Sequence, residues 1–241
     1  MTKGLFITII TAIIIFALAS GGFLAYLYFQ NNPKEKEETK IEEIKTKLEI
    51  VEKRFEEETD DLIINVRYPK TDNEKVNQEI ENLIELEINN FKESILDPVE
   101  GFSSGIYITY ITSLNSPSLL SIIFDISLYN SGAAHPVSIT EVFNYDLNQE
   151  KTIEAKEVLT DNYLETLSKI CVEKLTEKIQ PDEFMTDTIN NGAGPLGENY
   201  QNIAFAENGL VVIFDQYQVA AYALGKQSIE IPFSDISEIL K

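Results

Sequence analysis

The chain has 241 residues, of which 40 are acidic and 19 basic, for a formal net charge of −21. That balance disfavours nucleic acid as a partner, because phosphate binding needs a face of Lys and Arg, while a cationic partner would be steered toward it over a Debye length of ~8 Å. A single cysteine, Cys171, excludes an intramolecular disulfide, and a single histidine, His135, excludes a His-rich or Cys/His zinc cluster, so no cofactor is expected.

Residues 5–29 carry no charge and only Thr8, Thr11 and Ser20 as hydroxyl residues. The run exceeds the ~20 residues that a helix needs to cross a bilayer, and Tyr26, Tyr28 and Phe29 suit an interfacial belt. It predicts one N-terminal transmembrane helix after a short cytoplasmic tail, residues 1–4. Ala17-Leu18-Ala19 resembles a signal-peptidase site, but a chain starting at Ser20 would carry a useless apolar strip, so an uncleaved anchor is expected. Lys3 lies before the run and Lys34, Lys36, Lys40, Lys45 and Lys47 after it, so basic residues alone would put the C-terminal side inside.

Residues 30–47 are dense in mixed charge, as in a solvated stalk, and residues 48–241 form the globular part, with halves expected at 48–112 and 113–241. The globular part is itself acidic: 11 basic and 28 acidic residues lie in 62–241. Two early strands are predicted to meet near Thr59–Asp61, the second being Leu62–Tyr68 with Ile64, Val66 and Tyr68 on one face. Thr71 and Glu74 form a capping-box spacing, and Val76, Ile80, Leu83, Ile84, Glu87, Phe91 and Ile95 follow helical spacing up to Asp97-Pro98.

Strand-forming runs follow at 105–114, 119–129 and 137–146. A second helix is expected from Thr160 or Asp161 to Ile179, with Leu164, Leu167, Ile170, Cys171 and Leu175 inward and Pro181 closing it. Asn208-Gly209 predicts a type I′ hairpin between 203–206 and 210–214, and a last strand at 228–231 precedes a short helical piece. The element order predicts an α+β fold, an antiparallel sheet or sheets with two main helices.

Asp187, Asn191 and Glu198 stand first, fifth and twelfth in a calcium-loop spacing, with Gly192 sixth. Ile189 occupies the third place, where an oxygen ligand is needed, so a long surface loop without metal is expected. His135, between Ala134 and Pro136, has no motif-marked Ser or Cys beside it, and neither Asp125 nor Asp146 is fixed as its orienter. It is expected to bond the turn it occupies, with Gly132 permitting an unusual dihedral and Pro136 stiffening the exit.

The stretches SLYNSGAAHPVSITEVFNYDL (127–147) and GLVVIFDQYQVAAYALGKQSIEIPFSDI (209–236) carry a family resemblance. They resemble the extracytoplasmic domain of the RsiV anti-sigma factor, a lysozyme receptor, and the N-terminal module of the peptidoglycan deacetylase PdaC. Tyr68-Pro69-Lys70 and the Asn-rich helix start at Asn73 and Asn77 fit the same module. The departures are Ala220-Ala221-Tyr222 where the family often has proline, and only Met1 to Gly4 ahead of the apolar run, so sigma-factor inhibition is not expected.

The resemblance turns the globular domain outward. It implies a single-pass protein of the cell membrane whose extracytoplasmic domain binds or senses without catalysis of its own; the rival is an enzyme acting on peptidoglycan or another wall glycan. The implied partners are a cationic protein such as a lysozyme, or cell-wall glycan. The implied ligand-binding residues are Gly132, His135, Pro136, Tyr217, Tyr222 and Gly225, and no catalytic residue is assigned.

Overall fold

The computed structural model describes residues 46–95 and 99–241. The predicted anchor at 5–29, and the stalk up to residue 45, lie outside the described residues. Among the described residues no helix is long and apolar enough to cross a membrane.

Strands β1 (Ile50–Glu58) and β2 (Leu62–Thr71) form the expected hairpin around Asp60-Asp61. Helix α1 (Glu74–Ser94) then crosses to β3 (Ser104–Asn115), which lies parallel to β2. β4 (Leu119–Tyr129), β5 (Val137–Asp146) and the short β6 (Lys151–Thr152) follow as antiparallel neighbours, giving a six-stranded sheet in sequential order. The α+β class holds, but this sheet is mixed. A helical crossover returns the chain to the starting end of its strand, so β3 must run parallel to β2.

The predicted capping box is also displaced. Thr71 is still extended in β2, and Asn73 caps α1 by accepting from the backbone N–H groups of Lys75 at 3.0 Å and Val76 at 3.3 Å. Asn77 ties the junction: its Oδ1 accepts from the Thr71 N–H at 2.8 Å and its Nδ2 donates to the Thr71 carbonyl at 3.0 Å. Val76, Ile80, Ile84 and Phe91 then bury against Ile64, Val66, Ile106, Ile108, Ile122 and Phe124, each worth about 1.5–3 kcal/mol of burial.

A second core begins after β6. Helices α2 (Ala155–Val158), α3 (Tyr163–Ile179) and α4 (Glu183–Gly192) pack on a three-stranded antiparallel sheet, β7 (Ile203–Ala206), β8 (Gly209–Phe214) and β9 (Gln227–Pro232). Leu167, Cys171 and Leu175 are the buried stripe of α3, while Leu164 and Ile170 are only partly buried. The two cores thus divide between β6 and α2. The expected boundary at 112/113 falls inside β3, near its C-terminal end.

Two further expectations change. The stretch at 187–198 is not a long loop: Asp182 accepts from the Met185 N–H at 2.8 Å and starts α4, which runs through Gly192 and buries Ile189. Gly192 is required by proximity, since a Cβ there would stand 1.8 Å from the Gln218 carbonyl oxygen. The β7–β8 hairpin exists with Ala206 paired to Gly209, but Glu207 and Asn208 have no positive φ, so its turn is not type I′. Gly209 is there because a Cβ would meet the Ile231 carbonyl oxygen at 2.1 Å.

The second sheet meets the outer face of the first through β7. Ser121 and Asn144, buried cross-strand partners on β4 and β5, join side chains at 2.6 Å. Ser121 Oγ accepts from the Phe205 N–H at 3.0 Å, and Asn144 Nδ2 donates to the Ile203 carbonyl at 2.9 Å. The outer edge of β7, which no strand among the described residues pairs, is therefore satisfied by side chains.

Candidate functional site

Between the outer face of β3–β5 and the second sheet lies an open cleft of about 970 Å³. Ile111, Ile123 and Val211 supply apolar surface, and Asp125, Lys174, Gln216 and Lys226 supply polar groups. Ile111 is 64% exposed, unusual for an isoleucine in the middle of a sheet, so the cleft keeps an apolar face open to solvent.

Lys226, placed by the turn into β9, organises one end. Its ammonium donates to Asp125 Oδ1 at 2.6 Å, to the Ile139 carbonyl at 2.5 Å and to Thr140 Oγ1 at 2.8 Å, with Asp215 Oδ1 at 3.7 Å. Ser138 Oγ donates to Asp125 at 2.8 Å and Thr140 Oγ1 donates to Asp215 at 2.7 Å. Lys226 is only 20% exposed, so this is a largely desolvated charge held by two carboxylates and a carbonyl. Its geometry fastens β9 to β4 and β5.

Beside the cleft, three rings stand in a row at the surface. The His135 and Tyr222 centroids are 4.1 Å apart with planes at 31°, and Tyr222 and Tyr217 are 5.5 Å apart at 33°. Tyr222 Oη donates to the Pro136 carbonyl at 3.3 Å, and the same carbonyl lies 3.0 Å from His135 Nδ1. Segments more than 80 residues apart in sequence thus share one surface, and the predicted candidates His135, Pro136, Tyr217 and Tyr222 are brought together.

Glycine shapes this surface at two places. Gly225, at φ +66°, closes the turn at 222–224, and Gly132, at φ +82°, leaves no room for a Cβ against Val99. Tyr217 is the notable case. It is a non-glycine residue at φ +69°, a conformation costing of order 1–3 kcal/mol, and it is 58% exposed. Gln218 holds the distortion: its Oε1 accepts from the Asp215 N–H at 3.1 Å, and its Nε2 donates to the Gly192 and Asn199 carbonyls at 3.0 and 3.1 Å.

The nucleophile-and-base arrangements have no support in the geometry. Asp125 engages Ser138 and Lys226, and Asp146 accepts from the turn amides of Asn148 and Gln149. Cys171 is buried, and burial pushes its thiol up to about 12, where it is a poor nucleophile at neutral pH. Asp187 and Asn191 lie one turn apart on α4, and Glu198 lies in a separate 3-10 turn, so the calcium-loop spacing does not correspond to a calcium-loop backbone. No group of three or more His, Cys, Asp or Glu side chains is arranged to hold a metal among the described residues.

Under α1, on the opposite face of the first sheet, two half-buried carboxylates meet. Burial raises Glu141, with Glu87 and Asp215 adding repulsion, and burial raises Glu87 itself. Helical spacing had placed Glu87 on the inward face, and it does lie there.

Sequence reasoning missed Lys226 as the hub of the cleft. A lysine directly after the glycine that ends a turn, in a domain with few cations, was the available signal. Its partners lie up to 101 residues away, and no local pattern marks them.

Residues 156–234 match a family described as a protein of unknown function, DUF3298. Over 183 residues, 73% of this chain, the sequence is 28% identical to the peptidoglycan-N-acetylmuramic acid deacetylase PdaC of Bacillus subtilis (strain 168). This chain resembles the PdaC module. The match spans 38% of that enzyme's length. Two solved structures share the fold: a DUF3298 family member from Bacteroides fragilis, with TM-score 0.59 and 17% identity over 82% of this chain and 95% of that one, and another from Pseudomonas aeruginosa, with TM-score 0.58 and 16% identity over 81% and 94%.

Proposed function

We propose that the chain is a membrane-anchored binding or sensing module of the bacterial cell envelope, with residues 5–29 as its anchor and the domain outside the cell. The observation that carries the reading is the surface row His135, Tyr222 and Tyr217, in which one tyrosine is kept at a costly positive φ by the half-buried Gln218 clamp. A strained, exposed aromatic outside both cores is the kind of feature that a binding surface retains. Ring faces of this sort accept sugar rings and the cationic side chains of a basic protein. The likeness to part of a peptidoglycan deacetylase supports a wall glycan or a wall-associated protein as the ligand.

The domain does no chemistry in this reading. Incubating the purified full chain with soluble peptidoglycan fragments, with and without divalent metal, should show retention without turnover. Turnover lost in His135→Ala would replace the binding reading with an enzymatic one. Protease added to intact spheroplasts should remove the domain, and full protection would reverse the orientation.

A further inference from the structure

Among the described residues β1 is an edge strand, pairing with β2 on one side and with no other strand. The register runs unbroken from Ile50↔Thr71 to Glu58↔Ile63, and Thr59 donates its N–H to the Leu62 carbonyl at 2.8 Å. Bonded and non-bonded pairs alternate along an antiparallel ladder, so Val51, Lys53, Phe55 and Glu57 spend their backbone groups on β2. Pro69, which has no N–H, falls opposite Glu52 at a non-bonded pair, as this parity requires. The backbone groups of Glu52, Arg54, Glu56 and Glu58 therefore point away from the sheet, and Val51 and Phe55 are 57% and 45% exposed. On the α1 side, Phe55 floors an open groove of about 450 Å³ shared with Tyr68, Ile84 and Ile88.

We propose that β1 pairs antiparallel with β1 of a second copy about a two-fold axis at Phe55, joining the two six-stranded sheets into one. Only registers that set outward-pointing residues opposite one another preserve the ladder, which leaves axes centred on single residues. An axis at Arg54 sets Arg54 against itself and Glu52 against Glu56; an axis at Glu56 sets Glu56 against itself. The axis at Phe55 sets Lys53 opposite Glu57 on the α1 face, Arg54 opposite Glu56 on the other, and Phe55 against Phe55, each ion pair occurring twice by symmetry. Glu52 then faces Glu58, but Arg54 lies against Glu52 in its own strand at 2.7 Å and offsets that repulsion. The second Phe55 closes the open side of the apolar groove. An unpaired nine-residue edge with two large exposed apolar groups is thereby covered.

Each chain carries −21, so long-range repulsion opposes the pairing, and moderate salt should strengthen the dimer. A cationic partner on the same edge would show the opposite salt dependence. The test is cysteine crosslinking of the full chain in mild detergent, where the native Cys171 is buried. Facing Cα atoms at a non-bonded pair are ~4.5 Å apart, within disulfide reach. Phe55→Cys should crosslink to itself about tenfold faster than Phe184→Cys, at a more exposed position on α4, with unchanged circular dichroism. Adding Lys53→Glu should abolish the crosslink, and adding Glu57→Lys as well should restore it. Equal rates at positions 55 and 184, no crosslink at 55, or a charge-swapped chain that stays monomeric would each overturn the proposal.

Discussion

Replacing Ser121 with alanine should separate the two sheets' mutual support from their separate cores. Ser121 Oγ, fully buried, donates to Asn144 Oδ1 at 2.6 Å and accepts from the Phe205 N–H at 3.0 Å. The methyl group fills nearly the same space, so the cavity term is small and the loss comes from two orphaned polar groups. A buried unsatisfied donor or acceptor costs about 1–3 kcal/mol, so with two orphaned groups Ser121→Ala should lose about 2–6 kcal/mol in all. For a domain of this size each kcal/mol lowers Tm by about 2–4 °C, giving a drop of at least about 4 °C and up to about 24 °C. Urea unfolding followed by far-ultraviolet circular dichroism measures this directly, with an unchanged denaturant slope showing that the unfolded state is unaffected. Ser118→Ala, which removes an exposed 3.5 Å hydroxyl contact, is the matched control and should change stability by less than about 0.5 kcal/mol. A Ser121→Ala loss no larger than the control's would refute the idea that side chains of β4 and β5 hold the β7 edge.

Lys226→Met keeps the aliphatic stem but leaves Asp125, Asp215 and Thr140 without their shared cation, so thermal unfolding should show a loss of about 1–3 kcal/mol. Gly192→Ala drives a methyl group to 1.8 Å from the Gln218 carbonyl oxygen, and chemical denaturation should show at least the ~1–3 kcal/mol typical of overpacking. Glu141 binds its proton more tightly in the folded state than in the unfolded one, because burial and then Glu87 and Asp215 raise it. Its contribution to stability therefore falls as pH climbs from the ordinary carboxylate value through the raised one. Glu141→Gln should raise Tm relative to the parent at neutral pH, and that gain should shrink toward acid pH; a gain independent of pH would contradict the assignment.

The strands were legible because apolar alternation is local: LIINVRY, the run at 119–129 and the run at 137–146 all mark strands, as does α1 through its inward Val76, Ile80, Ile84 and Phe91. The failures lie where tertiary contact overrode a local signal. Asn190, Asn191 and Gly192 spell a loop by composition, yet Asp182 caps a helix there and Gly192 is needed for the close pass of residue 218. The Asn208-Gly209 pair predicted the hairpin but not its turn, since Gly209 answers to β9 crossing close by. The parallel β2–β3 pair depends on where α1 returns the chain, which periodicity does not encode. At the site, the resemblance singled out His135 and Tyr222, whereas Lys226 and its carboxylates, from three distant segments, left no spacing to find.

Whether the aromatic row binds a ligand decides the proposed function most directly. Titrating the full chain with soluble peptidoglycan fragments and, separately, with a basic protein, while recording heat and the melting temperature of each variant, measures this in one experiment. The parent chain should bind one probe, with affinity weakened about tenfold or more in Tyr222→Ala and in Tyr217→Ala without loss of folding. Binding unchanged in both variants, or no binding of either probe, would contradict it.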